Sequence, residues 1–460
     1  MTKPKILLSL MLAALAARAS LGAQEPAGTN SPSGTNAPSW LSRPLSLVDA
    51  MNVALTQNAT ILEAKNDLEA QHGVVMQTRA VALPTLKSTG QYADEEITLE
   101  QQLPGFEMTV PHQSWNSGIQ LVQNIYMGGR MVAAVHAADA TEKQAIATYQ
   151  TSVSDTLLNV RIAYYDVLLA AQQITVQEAS VKLLEKERED QQHRLEAGTV
   201  PRFNLLRAEV AVANERPALI SAHNSYRIAK NNLANLLGYN LPRDVWEDIP
   251  LNLIDTFDTS PYSVNLPDAI QQALTRRTEL EALRRDVELQ NLNIVNAKSG
   301  YKPTVSVFGG YNWVSSDYNT DPANEFNGWT AGAQFSWNWF DGLLTQGKVK
   351  QAKALYAKSK TTLVDQQRQI ELQVRTAYSD FIQARETLES QLKVQEEAEE
   401  ALREANARAD AGTGTQLDVL DAQTSLTQAR TTQIQAQHDY VAERARLERA
   451  IGADLVPTKK

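Results

Sequence analysis

The sequence predicts a mainly α-helical protein with a small membrane β-sheet, built twice from one unit. Three observations predict it: a long-period internal repeat, two proline-free helical stretches of unusual length, and strand-like segments with a period of two. The repeat is read from residue identities. Asp49-Ala50 returns as Asp268-Ala269, a step of 219 that also carries Ala54-Leu55-Thr56 onto Ala273-Leu274-Thr275, Pro84-Thr85 onto Pro303-Thr304 and Tyr92 onto Tyr311. A five-residue deletion in the second copy shortens the step to 214. It then holds from Trp115/Trp329 through Gly118/Gly332, Asn124/Asn338, Val160-Arg161/Val374-Arg375 and Gly198-Thr199/Gly412-Thr413 to Gly238/Gly452. Such constancy marks one duplicated architecture with internal pseudo-symmetry, not a solenoid of short repeats.

The N-terminus has the form of a secretory signal over residues 1–19. Lys3 and Lys5 precede an apolar stretch from Ile6 to Ala16, and Ala17-Arg18-Ala19 has the A-x-A form of a cleavage site. That stretch is too short to span a bilayer, and no other segment approaches the roughly 20 apolar residues of a membrane helix. Entry into a membrane therefore has to use strands. Residues 20–44, with Gly28-Thr29-Asn30-Ser31-Pro32 and Gly34-Thr35-Asn36-Ala37-Pro38, are too polar and proline-rich to pack and are expected to be a disordered leader. The chain has no cysteine, which excludes disulfides, thiolate chemistry and the lipid attachment of a bacterial lipoprotein. A formal charge of −10 argues against nucleic acid as a partner.

Both repeats have the same order of elements. Repeat 1 (45–238) opens with a short helix from Ser46 to Thr56 and a second helix ending before Pro84. Strands follow over 85–94 and 113–125, then a helical hairpin over 129–238. A linker (239–264) holding Pro242, Pro250 and Pro261 leads to repeat 2 (265–452). There the first helix runs from Leu266 to Thr275 and the second ends before Pro303. Strands over 304–314 and 328–339 and a hairpin over 343–452 complete it, leaving a tail at 453–460. In each hairpin the first arm runs without proline to a Gly-Thr turn, at Gly198 or Gly412. An arm of about 67 residues at 1.5 Å per residue is about 100 Å long. Such a helix needs lateral partners, as in a coiled coil or a cylinder of helices.

The strands alternate most clearly in repeat 2. Trp329, Ala331, Ala333, Phe335, Trp337 and Trp339 are interleaved with Thr330, Gly332, Gln334, Ser336 and Asn338. Val305, Val307, Tyr311 and Trp313 alternate with Thr304, Ser306 and Asn312, and Phe308 breaks the pattern. Repeat 1 is a weaker image, with Val122 and Gln123 out of phase. Ten-residue strands with one polar and one aromatic face match a membrane barrel around an aqueous lumen. Trp115, Trp313, Trp329, Trp337 and Trp339 are then expected in interfacial aromatic belts facing outer-membrane lipid.

Together these features resemble the TolC-type outer-membrane efflux family of channel-tunnels. The segment Ala411-Gly-Thr-Gly-Thr-Gln-Leu-Asp-Val-Leu-Asp-Ala-Gln423 is similar to that family's A-G-x-x-x-x-x-D-V-L-D-A-Q signature, and Arg194 to Leu206 is a degenerate partner. The resemblance implies a homotrimer. Each protomer would give four strands to a twelve-stranded barrel and long helical hairpins to a periplasmic α-barrel. It implies an outer-membrane channel-tunnel acting as the passive exit duct of a tripartite efflux pump or type I secretion system. Its partners would be a periplasmic adaptor and an inner-membrane pump of RND, ABC or MFS type. It also implies that the tips Gly198-Thr199-Val200 and Gly412-Thr413-Gly414 meet the adaptor, and that Asp418 and Asp421 form acidic rings at the constricted end. Those aspartates stand three apart, hence on one helix face, but Thr415-Gln-Leu-Asp418 also has the pattern of a capping box. Gly414 and Ala409 stand where some members carry an arginine and a tyrosine of the closing network, and Asn204 and Arg207 oppose the aspartates in repeat 1.

No catalytic or cofactor signature accompanies this. The six histidines (His72, His112, His136, His193, His223, His438) have no metal-ligand spacing, and nucleophile-elbow, phosphate-loop and dinucleotide motifs are missing. No enzyme, no metal and no cofactor are expected. The rival reading is a non-pore periplasmic coiled-coil adaptor or scaffold, against which the tryptophan-rich strands argue.

Overall fold

The computed structural model describes residue 40 and residues 43–94, 113–239, 249–315 and 326–453. The expected signal segment, nearly all of the leader and the tail beyond 453 lie outside the described residues. Among the described residues, those up to Leu45 and Pro250–Ile254 form a small unit in which β1 (Pro44–Leu45) pairs in parallel with β4 (Asn252–Leu253). Pro44, expected at the end of a disordered leader, is therefore strand. Its pyrrolidine sits at the first strand position, where no ladder donor is needed.

The large unit, formed by the described residues within Ser46–Ile249 and Asp255–Lys460, repeats one order of elements. Repeat 1 runs α1 (Leu47–Gln57), α2 (Ala59–Arg79), β2 (Thr85–Asp94), β3 (Gln113–Met127), α3 (Arg130–Glu196) and α4 (Arg202–Leu236). Repeat 2 runs α5 (Leu266–Arg276), α6 (Thr278–Lys298), β5 (Thr304–Val314), β6 (Phe326–Ser336), α7 (Leu344–Asp410) and α8 (Gln416–Ile451). Both α3 and α7 have 67 residues. β3 reaches Met127, two residues past the expected end, whereas β6 stops at Ser336 instead of 339.

Local chemistry sets the boundaries. Ser46 caps α1 by accepting from Asp49 N at 3.2 Å, and Asn58 caps α2 by accepting from Ile61 N at 3.2 Å. Gly198, Gly238, Gly412 and Gly452 end the long helices in the left-handed region, with φ between 70° and 78°. Pro217 lies inside the continuous α4 on an exposed face, where the backbone carbonyl that loses its donor can turn to water.

The sheet is antiparallel throughout, in the order β2-β3-β5-β6, so β2 and β6 are its edges. The helices pack in two sets of four. Nearer the sheet the order is α2, α3, α6, α7, and farther away it is α4, α3, α8, α7. α3 and α7 run through both sets, while α2 hands over to α4 and α6 to α8. At the first hand-over Asn58 Nδ2 donates to Leu236 O at 2.6 Å. There is no room for a side chain at Gly238, where a Cβ would fall 2.3 Å from Gln57 O. The second hand-over is ionic. Arg277 and Arg449, both under a tenth exposed, flank Glu279 at 2.8 and 2.7 Å, and Arg449 also meets Asp155 at 2.8 Å.

The last part of the linker, from Asp255 to Tyr262, is bonded to the helices. Asp255 accepts from Tyr164 Oη at 3.0 Å and from Leu47 N at 2.7 Å. Asp258 pairs with Arg444 at 3.2 Å, and Tyr440 Oη donates to Ser260 O at 2.8 Å. Buried Tyr164, Phe381 and Tyr440 form the apolar core beneath it.

Candidate functional site

Two regions present chemistry outward, the sheet faces and the helical tips. Register places Leu86, Tyr92, Trp115, Ile119, Leu121, Tyr311, Trp313, Trp329 and Phe335 on one face. The other carries Lys87, Gln91, Asn116, Gln120, Asn312, Thr330 and Gln334. This is the period-two segregation of a sheet with lipid on one side and water on the other. Large apolar groups stand in the open: Trp329 is 78% exposed and Trp339 84%. Tyr92, Trp115, Tyr311, Trp313 and Trp329 gather at the end away from the helices. Trp337 and Trp339, past the end of β6, stack at 4.3 Å at the helical end. β6, with 11 residues, has the length that a tilted strand needs to cross a bilayer.

The alternation breaks meet one another. Val122 and Phe308 both lie on the polar face and pair directly, and the ring of Phe308 covers Gly332, where a Cβ would come within 2.9 Å of it. Gln123 lies on the apolar face, with its amide donating to Ala82 O and Asn124 O.

At the tips both turns use one bonding scheme. Thr199 N donates to Arg194 O at 2.9 Å and Thr413 N to Arg408 O at 2.9 Å, and each threonine hydroxyl donates to the same carbonyl. Gly198 and Gly412 have φ of 73° and 70° with open space around them, so glycine answers to the backbone alone. Gly414 is crowded, since a Cβ there would fall 3.0 Å from Arg408 Cβ. Val200 is half-buried. The two turns are tied by Arg194–Asp410 at 2.9 Å and by Gln416 Nε2 donating to Asn204 O at 3.1 Å.

Asp418 and Asp421 are both exposed, on the side of α8 away from buried Val419, Gln423 and Leu426. Asp418 accepts from Thr415 N and from Thr415 Oγ1, both at 2.9 Å, while its own N–H donates to Thr415 Oγ1 at 3.2 Å. The capping box is thus complete. The Thr415 backbone N–H, then its hydroxyl, hold the Asp418 carboxyl below the usual range. Asp421 is outside that box. Among the described residues Arg207 makes no ion pair with either aspartate.

Two polar clusters escaped the sequence reading. Asp341 caps α7 by accepting from Thr345 N at 2.9 Å. His438, buried on α8, lies 2.9 Å from Asp166 and 3.0 Å from Asp439. Burial alone would lower its pKa, but the two carboxylates raise it to about 9. No sequence signal links positions 272 apart. Among the described residues no helix is long and apolar enough to cross a membrane, and no acidic, histidine or cysteine group could hold a metal.

The family model for outer membrane efflux proteins matches residues 50–239 and 269–453, which are the two repeats. The chain belongs to the outer membrane efflux protein family. Outer membrane protein TolC of Vibrio cholerae is 26% identical over 387 residues, covering 82% of this chain and 84% of that protein. The alkaline protease secretion protein AprF of Pseudomonas aeruginosa is 24% identical over 65% of this chain and 62% of its own. Among solved structures, the outer-membrane channel OprN superposes with a TM-score of 0.76 at 20% identity, over 89% of this chain and 91% of that one. This efflux family protein has the channel-tunnel fold, an α-barrel with a β domain. It is an outer-membrane exit duct for efflux or type I secretion, not an enzyme.

A valine at Gly412 tests how much the tip geometry matters. Holding a β-branched residue at φ 70° costs about 1–2 kcal/mol in the turn and leaves the sheet untouched. Gly412→Val is expected to reach the outer membrane in normal amount yet fail to complement export in a deletion strain. Gly412→Asn, which tolerates that φ, should restore it.

Proposed function

We propose that three copies close into a ring, a continuous duct from a periplasmic tip to the cell exterior, with energy supplied by partners. The observation that carries this reading is a coincidence of unpaired flanks. β2 and β6 are free edges, the outermost helices α2, α4 and α7 lie on the same two flanks, and a free strand edge is not tolerated in hydrocarbon. Joining the β6/α7 flank of one copy to the β2/α2/α4 flank of the next is a head-to-tail contact that closes by rotation. Antiparallel alternation survives it, because β6 runs opposite to β2. Two copies would give eight strands and a lumen filled by side chains, while twelve leave a channel. The aromatic face turns to lipid and the polar face lines the water.

In this duct the tips Gly198–Val200 and Gly412–Gly414 meet a periplasmic adaptor, and an inner-membrane pump of RND, ABC or MFS type delivers the substrate. Asp418 and Asp421 form two stacked acidic rings at the periplasmic mouth, which attract cations. Because the Thr415 hydrogen bonds favour the ionised form of Asp418, its ring stays charged into mildly acidic solution.

Bilayer recordings beside melting curves test the mouth. Asp421→Asn is expected to weaken cation preference and multivalent-cation block without changing the melting temperature. Asp418→Asn should do the same and also lower the melting temperature, since it dismantles the capping box. Unaltered block and selectivity in the double variant would remove both rings from the mechanism. Purified protein that is monomeric and outside the outer-membrane fraction would favour a scaffold instead.

A further inference from the structure

We infer that the cleft between α3, α6 and α7, at the helical end of the sheet, is a binding site for a phosphate-bearing anion, which Arg130 and Lys348 hold from opposite banks. The cleft is built by one chain and is complete without ring closure.

α3, α6 and α7 lie side by side in that order. The last turns of α6 form the floor, with Arg130 at the first position of α3 on one bank and Lys348, in the second turn of α7, on the other. The cavity holds about 450 Å³, within the size range of small-ligand sites. Asn293, Asn296 and Gln351 also line it, adding amide donors between the two cations. Its sheet end is tight: a Cβ on Gly300 would fall 2.4 Å from Thr345 Oγ1.

The charge around the cleft has one sign. The described residues between Glu288 and Asp365 carry seven lysines and a single acid, Asp341. Its carboxylate is already taken, accepting from Thr345 N and Thr345 Oγ1. Among the described residues neither Arg130 nor Lys348 makes an ion pair or a side-chain hydrogen bond. Two cations thus face one cavity without a counter-charge. The planar fork of an arginine matches two phosphate oxygens, and a lysine adds a mobile point charge.

The fold itself does not require this chemistry, as repeat 1 shows. The 219 step carries Asn293 back onto Val74, and the 214 step carries Lys348 and Gln351 onto Ala134 and Ala137. The same helices meet there with apolar side chains, so packing leaves the lysine of repeat 2 unexplained. Lys348 lies about 6 Å along α7 from its first residue, and Trp337 and Trp339 stack at this same end of the sheet. Two sources bring phosphate to that level, the headgroups of the surrounding lipid and solutes in the water of the duct.

Full-length protein extracted from outer membranes into neutral detergent provides the test. It would be titrated with short-chain phosphatidylglycerol and followed by native mass spectrometry, and separately with inorganic phosphate at constant ionic strength and followed by melting temperature. The expected result is one phosphatidylglycerol per chain, bound at least tenfold more weakly when Arg130→Gln and Lys348→Gln are combined. Both side chains are exposed, so that variant should melt as the parent does without ligand. Lys353→Gln with Lys360→Gln removes the same charge from α7 outside the cleft and should bind as the parent does. A phosphate-dependent rise in melting temperature, missing from the cleft variant, would identify a soluble anion as the ligand. Lipid binding without that rise would identify the headgroup. Equal affinity in the parent and the cleft variant would overturn the site, as would binding of neither probe. Equal weakening by the control pair would overturn it too, because a diffuse field of lysines would give that result.

Discussion

Phe335→Arg is expected to abolish membrane insertion, whereas Gln334→Arg, one residue away, is expected to assemble normally. The two side chains leave β6 on opposite faces, Phe335 among the tryptophans and Gln334 among the amides and hydroxyls. An arginine on the lipid face costs up to roughly 2–4 kcal/mol, most at the midplane and less toward the interfaces, and on the lumen face it stays in water. Trimer closure multiplies the penalty, because three copies carry the substitution into one barrel. Heat-modifiable trimers in outer-membrane extracts provide the readout. Equal assembly of the two variants would mean that the faces have been assigned the wrong way round.

How much of this was legible in the sequence depended on whether the signal was local. The arms of the hairpins were legible because 67 residues without proline, closed by Gly198 or Gly412, leave the backbone one regular option. β5 was legible from alternation and from Pro303 before it, and β2 from Pro84 and its place in the repeat. The end of β6 was not, because side-chain alternation continues to Trp339 while the ladder depends on a neighbour. Asp418 was legible in two ways, and its capping contacts leave its charge free to serve the mouth too. Phe308 and Val122 looked like errors in a pattern until the register set one against the other. The polar clusters were invisible, because His438 with Asp166 and Arg449 with Asp155 are joined only after helices far apart in sequence have packed.

The hand-over between α6 and α8 is expected to be weakened strongly in Glu279→Gln. Glu279 lies between Arg277 and Arg449, which are 8% and 7% exposed, so removing its charge leaves two buried guanidiniums facing each other. Breaking a buried ionic set in this way costs up to about 3–5 kcal/mol, with Asp155 still offsetting part of the Arg449 charge. The pH dependence fixes the mechanism. Burial alone would raise the Glu279 carboxyl, but the hydrogen bond from Arg277 and the charge of Arg449 lower it to about 2. A folded value below the unfolded 4.5 means that the stabilisation is fully present above that pH and is lost as the pH falls from 4.5 toward 2. The gap in melting temperature between parent and Glu279→Gln should therefore be wide at pH 7 and close on acidification through that window. Hydrogen exchange should show the opening at the start of α6 and the end of α8 before the tips or the sheet respond. A gap that persists undiminished at pH 2 would mean that Glu279 acts through packing and not through charge. The first hand-over, where uncharged Asn58 and Gly238 do the same work, should show no such window.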